Sequence, residues 1–143
     1  MAEARPQWLY NQSAAIPYRF VDGRLEVALI TSRSGRRWVI PKGVIDPGET
    51  AVGTAGRETL EEAGLSGRLS DEAVGRYRYE KWGGTCRVQV FLMAVVEVHE
   101  DWEEAEVRRR WWLPPEEAAE QVREPELQEL IRRVPELIHE RGG

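Results

Sequence analysis

Residues 43–65 read GVIDPGETAVGTAGRETLEEAGL, and this stretch decides how the rest is understood. Its first part, Pro41 to Thr50, is crowded with turn formers: Pro41, Gly43, Asp46, Pro47 and Gly48. Thr50 is suited to cap a helix, and Gly64 to end one in a left-handed conformation, so the spacing predicts a helix over 51–63. On that helix Glu58 and Glu61 are three apart and Glu58 and Glu62 four apart, which sets all three carboxylates on one face. The remainder offers small residues, Gly53, Gly56 and Ala63, with Leu60, and little that would fill a core. Clustered like charges destabilise a helix. A rigid trio of carboxylates is what a hard divalent cation prefers: Mg²⁺ or Mn²⁺, with oxygen ligands and retained water. Such an ion can neutralise phosphate charge and activate a water. Two distant histidines, His99 and His139, with one cysteine supply no zinc set. Gly43, lacking a Cβ, lets its backbone approach a metal or phosphate closely.

The longer spacing resembles the Nudix box, G-x5-E-x7-R-E-U-x-E-E-x-G-U, where U is bulky and apolar. Gly43, Glu49, Arg57, Glu58, Glu61, Glu62 and Gly64 occupy its fixed places, with Leu65 at the last U. Thr59 at the first U is the one departure. The resemblance implies an α/β (α+β) fold, a Nudix-type α/β/α sandwich with a mixed central sheet, a short antiparallel sheet and a catalytic loop-helix. It implies hydrolysis of a pyrophosphate bond with Mg²⁺ or Mn²⁺ as cofactor. Glu58, Glu61 and Glu62 then hold the metal with the Gly43 carbonyl, Arg57 orients the glutamates by a salt bridge, and Glu49 is secondary. The family often adds a glutamate before a tryptophan-bearing strand. Glu106, six residues before Trp112, is the candidate taken, with Glu104 as the alternative.

Working outward, residues 14–31 read as a hairpin about Asp22-Gly23, joining Ile16–Val21 to the alternating Leu25-x-Val27-x-Leu29, with Arg19 facing Glu26. Trp38-Val39-Ile40 is a short strand. Residues 74–98 form a second hairpin about Gly83-Gly84, in which Tyr79 pairs with Val88. Tyr77, Tyr79, Cys86, Val88, Val90 and Leu92 make its core face. Arg76, Arg78, Trp82, Arg87, Gln89 and Phe91 make a mixed face able to line a pocket. A strand over 107–113 precedes a helix over 116–123 led by Pro115. An amphipathic helix follows from Leu127 to Ile138, which Pro135 should kink or split.

With 143 residues, 41% hydrophobic and 31% charged, the chain suits a single globular domain, 1–143. Cys86 is the only cysteine, so no intrachain disulfide can form. The start carries no apolar signal core and no run spans a bilayer, so the expected location is cytoplasmic, without membrane partners. The net charge of −5 argues against general nucleic-acid binding. Residues 1–96 hold 13 Lys/Arg against 11 Asp/Glu, residues 97–143 hold 7 against 14, so an anion site is expected from the first two-thirds.

Arginines there suit a small-molecule phosphoanhydride substrate. Arg33, Arg36, Arg37 and Lys42 flank the strand entering the loop, and Arg76, Arg78, Lys81 and Arg87 lie on the second hairpin, Arg78 and Arg87 being the ones taken for the substrate site. Trp82 could stack on a base. Arg108–Arg110 either contribute or merely offset nearby acids. The segments around TSRSGRRWVIPKG and RRRWWLPPEEA resemble the diphosphoinositol polyphosphate and diadenosine polyphosphate hydrolase branches. Alternatives are a house-cleaning nucleoside triphosphate or nucleoside-diphosphate-X pyrophosphatase, a silent binding module of the same fold, and action on RNA ends, which the acidic tail disfavours. Oligomeric state is not encoded in any of these features.

Overall fold

In the computed structural model, which describes residues 5–141, Asp22 and Gly23 take left-handed φ values of 51° and 78° and close a two-residue turn. The turn joins β1 (Asn11–Val21) to β2 (Arg24–Thr31) with Arg19 opposite Glu26, their side chains 2.8 Å apart. β1 starts five residues before the expected Ile16. Its polar opening, Asn11-Gln12-Ser13, hides a strand whose side chains are used inside. Buried Ser13 donates to the Ala51 carbonyl at 2.6 Å, and buried Gln12 accepts from the Tyr79 hydroxyl at 2.7 Å. β1 pairs antiparallel with β4 (Lys42–Val44) through Ala14 and with β2 from Tyr18 onward. Pro17 falls between these two pairings, where a missing N–H costs least.

β1 also runs parallel to β7 (Gly84–Val98). The main strand order is β3 (Trp38–Val39), β2, β1, β7, β5 (Leu65–Leu69). β4 branches from β1, β6 (Gly75–Lys81) from β7, and β8 (Arg110–Leu113) from β2. The short antiparallel pairings thus extend the same hydrogen-bonded sheet. β8 begins three residues later than expected, because residues 103–107 are turns.

Alternation along the central strands sends side chains to two cores. Ile16, Val27, Leu29, Val88, Val90 and Leu92 meet α2 (Pro115–Gln121), α3 (Pro125–Arg132) and α4 (Val134–Glu140). Ala15, Ala28, Ile30, Phe91 and Met93 meet α1 (Ala51–Ala63) on the other face. This is the expected α/β/α sandwich. Pro135 splits the last helix into α3 and α4, sitting in the first turn of α4 where its lack of N–H is harmless.

The second hairpin differs in register. Its turn is Trp82-Gly83, both left-handed (φ 56° and 72°), so Tyr79 pairs with Cys86 and Tyr77 with Val88. The shift is two residues, so each side chain keeps its face. Gly84 is needed within the strand, since a Cβ there would meet the Tyr10 ring. Phe91, placed on the mixed face, is buried under α1.

Thr50 caps α1 by accepting from Gly53 N–H at 3.0 Å, and Gly64 ends it at φ 65°. Thr59, the departure from the box, is fully buried, and its hydroxyl donates to the Ala55 carbonyl one turn back at 2.7 Å. That bond supplements an acceptor the helix already uses. Thr59→Val should therefore leave unfolding free energy within about 1 kcal/mol of wild type, as read by urea denaturation. A loss above about 2 kcal/mol would mean the hydroxyl supports the helix itself.

Candidate active site

The carboxylates of α1 stand against the loop that precedes it. A Cβ on Gly43 would run into the Glu58 carboxylate, so the glycine leaves that side chain room to lie against β4. The Lys42 N–H donates to Glu62 at 3.0 Å, fixing the second carboxylate to the same strand. Both follow from β4 lying beside β1 while α1 packs across β1.

Two arginines manage the negative charge. Arg57 reaches Glu49 and Glu58 at 3.0 Å each and Glu61 at 3.4 Å, tying loop to helix. Its hydrogen bonds hold the Glu49 carboxyl below the usual range. Arg108, 8% exposed, binds Glu62 at 3.3 Å and Glu104 at 3.0 Å and donates to the Thr31 carbonyl at 2.9 Å. Burial pushes the Glu58 carboxyl up, and pushes Glu62 up to about 7 despite the neighbouring Arg108.

Glu104 is the half-buried glutamate delivered from outside the helix, sharing Arg108 with Glu62 and accepting also from Arg33 at 3.2 Å. Glu106, the candidate taken from sequence, is exposed and, unlike Glu104, makes no ion pair with Arg108. The cause is a turn in which Val107 and Arg108 N–H both donate to the Glu104 carbonyl, so two residues of chain reverse direction.

A cleft of about 480 Å³ opens beside Gly43 and Glu62. Arg33, Arg37, Lys42 and Trp82 line it as the sequence suggested, with Lys81 from the basic cluster of the second hairpin, and Arg123 joins them. Arg36 sits exposed on the preceding loop, outside it. Arg78 and Arg87 do not reach it either. They are cross-strand neighbours on the exposed face of the hairpin, and Arg78 turns to Glu126 at 3.8 Å. The core-side face of β6 lines the cleft instead, through Tyr77, Tyr79 and Lys81. Lys42 lies 5.0 Å over the Tyr79 ring, and burial lowers its amine. Lys81 was legible from period-2 alternation with Tyr77 and Tyr79. Arg108 stood within the Arg108–Arg110 run already weighed from sequence, whereas Arg123 and Glu124 carried no comparable signal.

As they stand, no three His, Cys, Asp or Glu side chains among the described residues converge on one ion; the carboxylates are turned onto Arg57 and Arg108. The donor set nevertheless fits a hard divalent cation. Three glutamates on adjacent turns, soft in their side-chain torsions, face a glycine backbone that a Cβ would obstruct.

A sequence model of the NUDIX domain matches residues 11–134. The chain belongs to the Nudix family. Nudix hydrolase 16, mitochondrial, of Arabidopsis thaliana is 33% identical over 137 residues, covering 83% of this chain and 76% of its own. Diphosphoinositol polyphosphate phosphohydrolase 3-beta of Bos taurus is 33% identical over 116 residues, covering 79% and 69%. The crystal structure of the C. elegans Ap4A hydrolase superposes with a TM-score of 0.74 over 90% of this chain and 97% of that one, at 24% identity, a likeness of fold. The chain is thus a Nudix pyrophosphohydrolase, and Nudix enzymes generally use divalent metal ions. No helix among the described residues is long and apolar enough to cross a membrane.

The Glu62 carboxyl titrates near 4.5 when unfolded and about 7 when folded. The folded protein holds that proton more tightly, so metal-free stability declines as pH rises from about 4.5 to about 7 and the carboxylate ionises. A divalent cation held by Glu62 would bind the ionised form and oppose this. The rise in Tm given by saturating Mn²⁺ should therefore be larger at pH 8 than at pH 6 by scanning calorimetry. Equal increments at both would remove Glu62 from the metal site.

Proposed function

We propose that this chain hydrolyses a pyrophosphate bond in a phosphate-dense small molecule, a dinucleoside polyphosphate or a diphosphoinositol polyphosphate, with Mg²⁺ or Mn²⁺. One observation carries the reading: Arg33, Arg37, Lys42, Lys81 and Arg123 line the same cleft as Gly43 and Glu62. So many cations in one cleft exceed what a single nucleotide's phosphates need, and arginine suits bidentate phosphate contact. Relatives named as diphosphoinositol polyphosphate phosphohydrolases support the same substrate class.

Glu58, Glu61 and Glu62, with the Gly43 carbonyl, would hold the cation. When bound it would polarise a phosphoryl oxygen and acidify a water. The chain's own groups do the rest. Arg57 keeps Glu49, Glu58 and Glu61 in one constellation. The Lys42 N–H and Arg108 orient Glu62. Glu104, in place of Glu106, is the residue we assign to accept the proton of the attacking water. Arg37 and Lys42 anchor the phosphate chain, and Trp82 at the cleft's edge offers a ring to a base.

The family domain fills most of the chain, and we read 1–143 as one domain acting on a soluble substrate. A cytoplasmic site of action fits the single free cysteine. Since several relatives are named mitochondrial, fractionation of tagged protein is the check.

Glu62→Gln should remove nearly all activity while the protein stays folded; undiminished turnover would refute the assignment. In a substrate panel, Arg37→Ala and Lys42→Ala should raise KM for both phosphate-dense classes by about tenfold, and Arg36→Ala by less than about twofold. Trp82→Ala should raise KM for dinucleoside polyphosphates only, because diphosphoinositols carry no base. If nucleoside triphosphates are turned over best and the arginine variants leave KM alone, the house-cleaning reading replaces this one.

A further inference from the structure

The last turn of an α-helix leaves its carbonyls without intrahelical partners. In α1 that turn carries Glu61 and Glu62, and every one of its free carbonyls is taken by a single segment, residues 99–110. The Glu61 carbonyl accepts from Glu104 N–H at 3.1 Å, and the Glu62 carbonyl from the Trp102 indole N–H at 3.0 Å. Ala63 accepts from Arg110 Nη1 at 2.9 Å. Gly64 accepts from His99 N–H at 2.9 Å and from the same Arg110 nitrogen at 3.3 Å. Arg110 also donates to the His99 carbonyl at 2.8 Å, and its guanidinium lies 4.2 Å from the Trp102 ring centroid. Gly64 completes the seat, since a Cβ there would press into Trp102.

The segment so docked is the one that bears Glu104. We infer that Trp102 and Arg110 are positioning residues for the hydrolytic reaction. They lock the loop onto the carbonyls of the catalytic helix, so that Glu104 and the Glu61-Glu62 pair keep one spacing. Neither side chain lines the cleft, and neither needs to touch substrate or metal. Their effect runs through backbone: a shift of the loop moves Glu104 and its shared partner Arg108 together, and Arg108 moves Glu62. A cation against a helix C-terminus is also favoured by the helix dipole. Arg110 was a plain member of an Arg-Arg-Arg run by sequence; its three carbonyl partners distinguish it from exposed Arg109.

The inference rests on the box glutamates and Glu104 doing the chemistry, so the experiment carries Glu62→Gln alongside. Arg110→Gln and Trp102→Phe are measured for kcat, KM, Mn²⁺ affinity by electron paramagnetic resonance, and Tm. Arg110→Gln should lower kcat and weaken Mn²⁺ binding by about 10-fold or more, with KM moved by less than about threefold. Trp102→Phe keeps the ring but not the donor and should show a smaller loss of the same kind. Arg110→Lys, which keeps a cationic donor, should recover part of it. Leu137→Ala, in the core far from the site, serves as a destabilised control and should keep kcat and Mn²⁺ affinity at temperatures below its Tm. With Glu104→Gln already present, adding Arg110→Gln should cost less than about a further twofold in kcat.

A profile of Arg110→Gln that matches Leu137→Ala, or a loss that multiplies fully onto that of Glu104→Gln, overturns the inference. Should Arg110→Gln fail to fold, Trp102→Phe and Arg110→Lys decide by the same criteria. If Glu62→Gln abolishes Mn²⁺ binding while these variants do not weaken it, the inference alone falls. If Glu62→Gln leaves binding and turnover intact, the reading beneath it falls and takes the inference with it.

Discussion

Five glutamates, Glu49, Glu58, Glu61, Glu62 and Glu104, crowd one end of this molecule, and the need to hold them close together against their repulsion governs its design. Glu58, Glu61 and Glu62 repel one another along α1, and burial raises the cost of charging Glu58 and Glu62. Two arginines offset this from opposite sides. Arg57 gathers Glu49, Glu58 and Glu61 from the helix itself, and Arg108 joins Glu62 to Glu104 across the gap between the helix and a distant loop. Removing either arginine would leave half-buried carboxylates facing each other, the costly half of a broken ion pair.

That requirement explains features which look incidental in the sheet. The helix can lie close to β1 and β5 because it presents Ala55, Thr59 and Ala63 inward, not large side chains. Close approach brings Glu58 onto Gly43 and Glu62 onto the Lys42 N–H. β4, only three residues long, exists to carry that backbone past the helix, and it is held by a β1 that begins with polar residues. Packing and chemistry are thus served by the same small-residue face.

Local spacing made α1, both its caps and its acidic face readable, because a helix of 13 residues is specified by neighbours in sequence. The Asp22-Gly23 turn and the break at Pro135 were readable for the same reason. The second hairpin was misregistered because glycine is the default for a left-handed turn, and two glycines stood side by side. Only the tertiary contact of Gly84 with Tyr10 shows that Gly84 belongs to the strand, leaving Trp82 to adopt φ 56°. Tyr10 steadies that residue by donating to its carbonyl at 2.8 Å. Which of Glu104 and Glu106 pairs with Arg108 could not be read from sequence, because it depends on a turn closed by backbone bonds within an acidic run.

Charge averaged over segments was a poor guide to the cleft. The acidic last third was expected to contribute little to an anion site, yet it sends Arg108 and Arg123 into the cleft, while Arg36, Arg78 and Arg87 from the more basic part stay outside. The physical reason is that Coulomb interaction is set by distance and burial, not by sequence neighbourhood. The surplus acids of that third are largely exposed and screened, whereas buried Arg108 acts at contact range. Glu124 shows the converse. It enters the cleft from the start of α3 and binds Arg37 at 3.2 Å, so part of the cationic wall is already matched by the protein. A bound polyphosphate must compete with that carboxylate for Arg37 but meets no such pair at Lys81 or Arg123 among the described residues, so the cleft's cations differ in how freely they are offered.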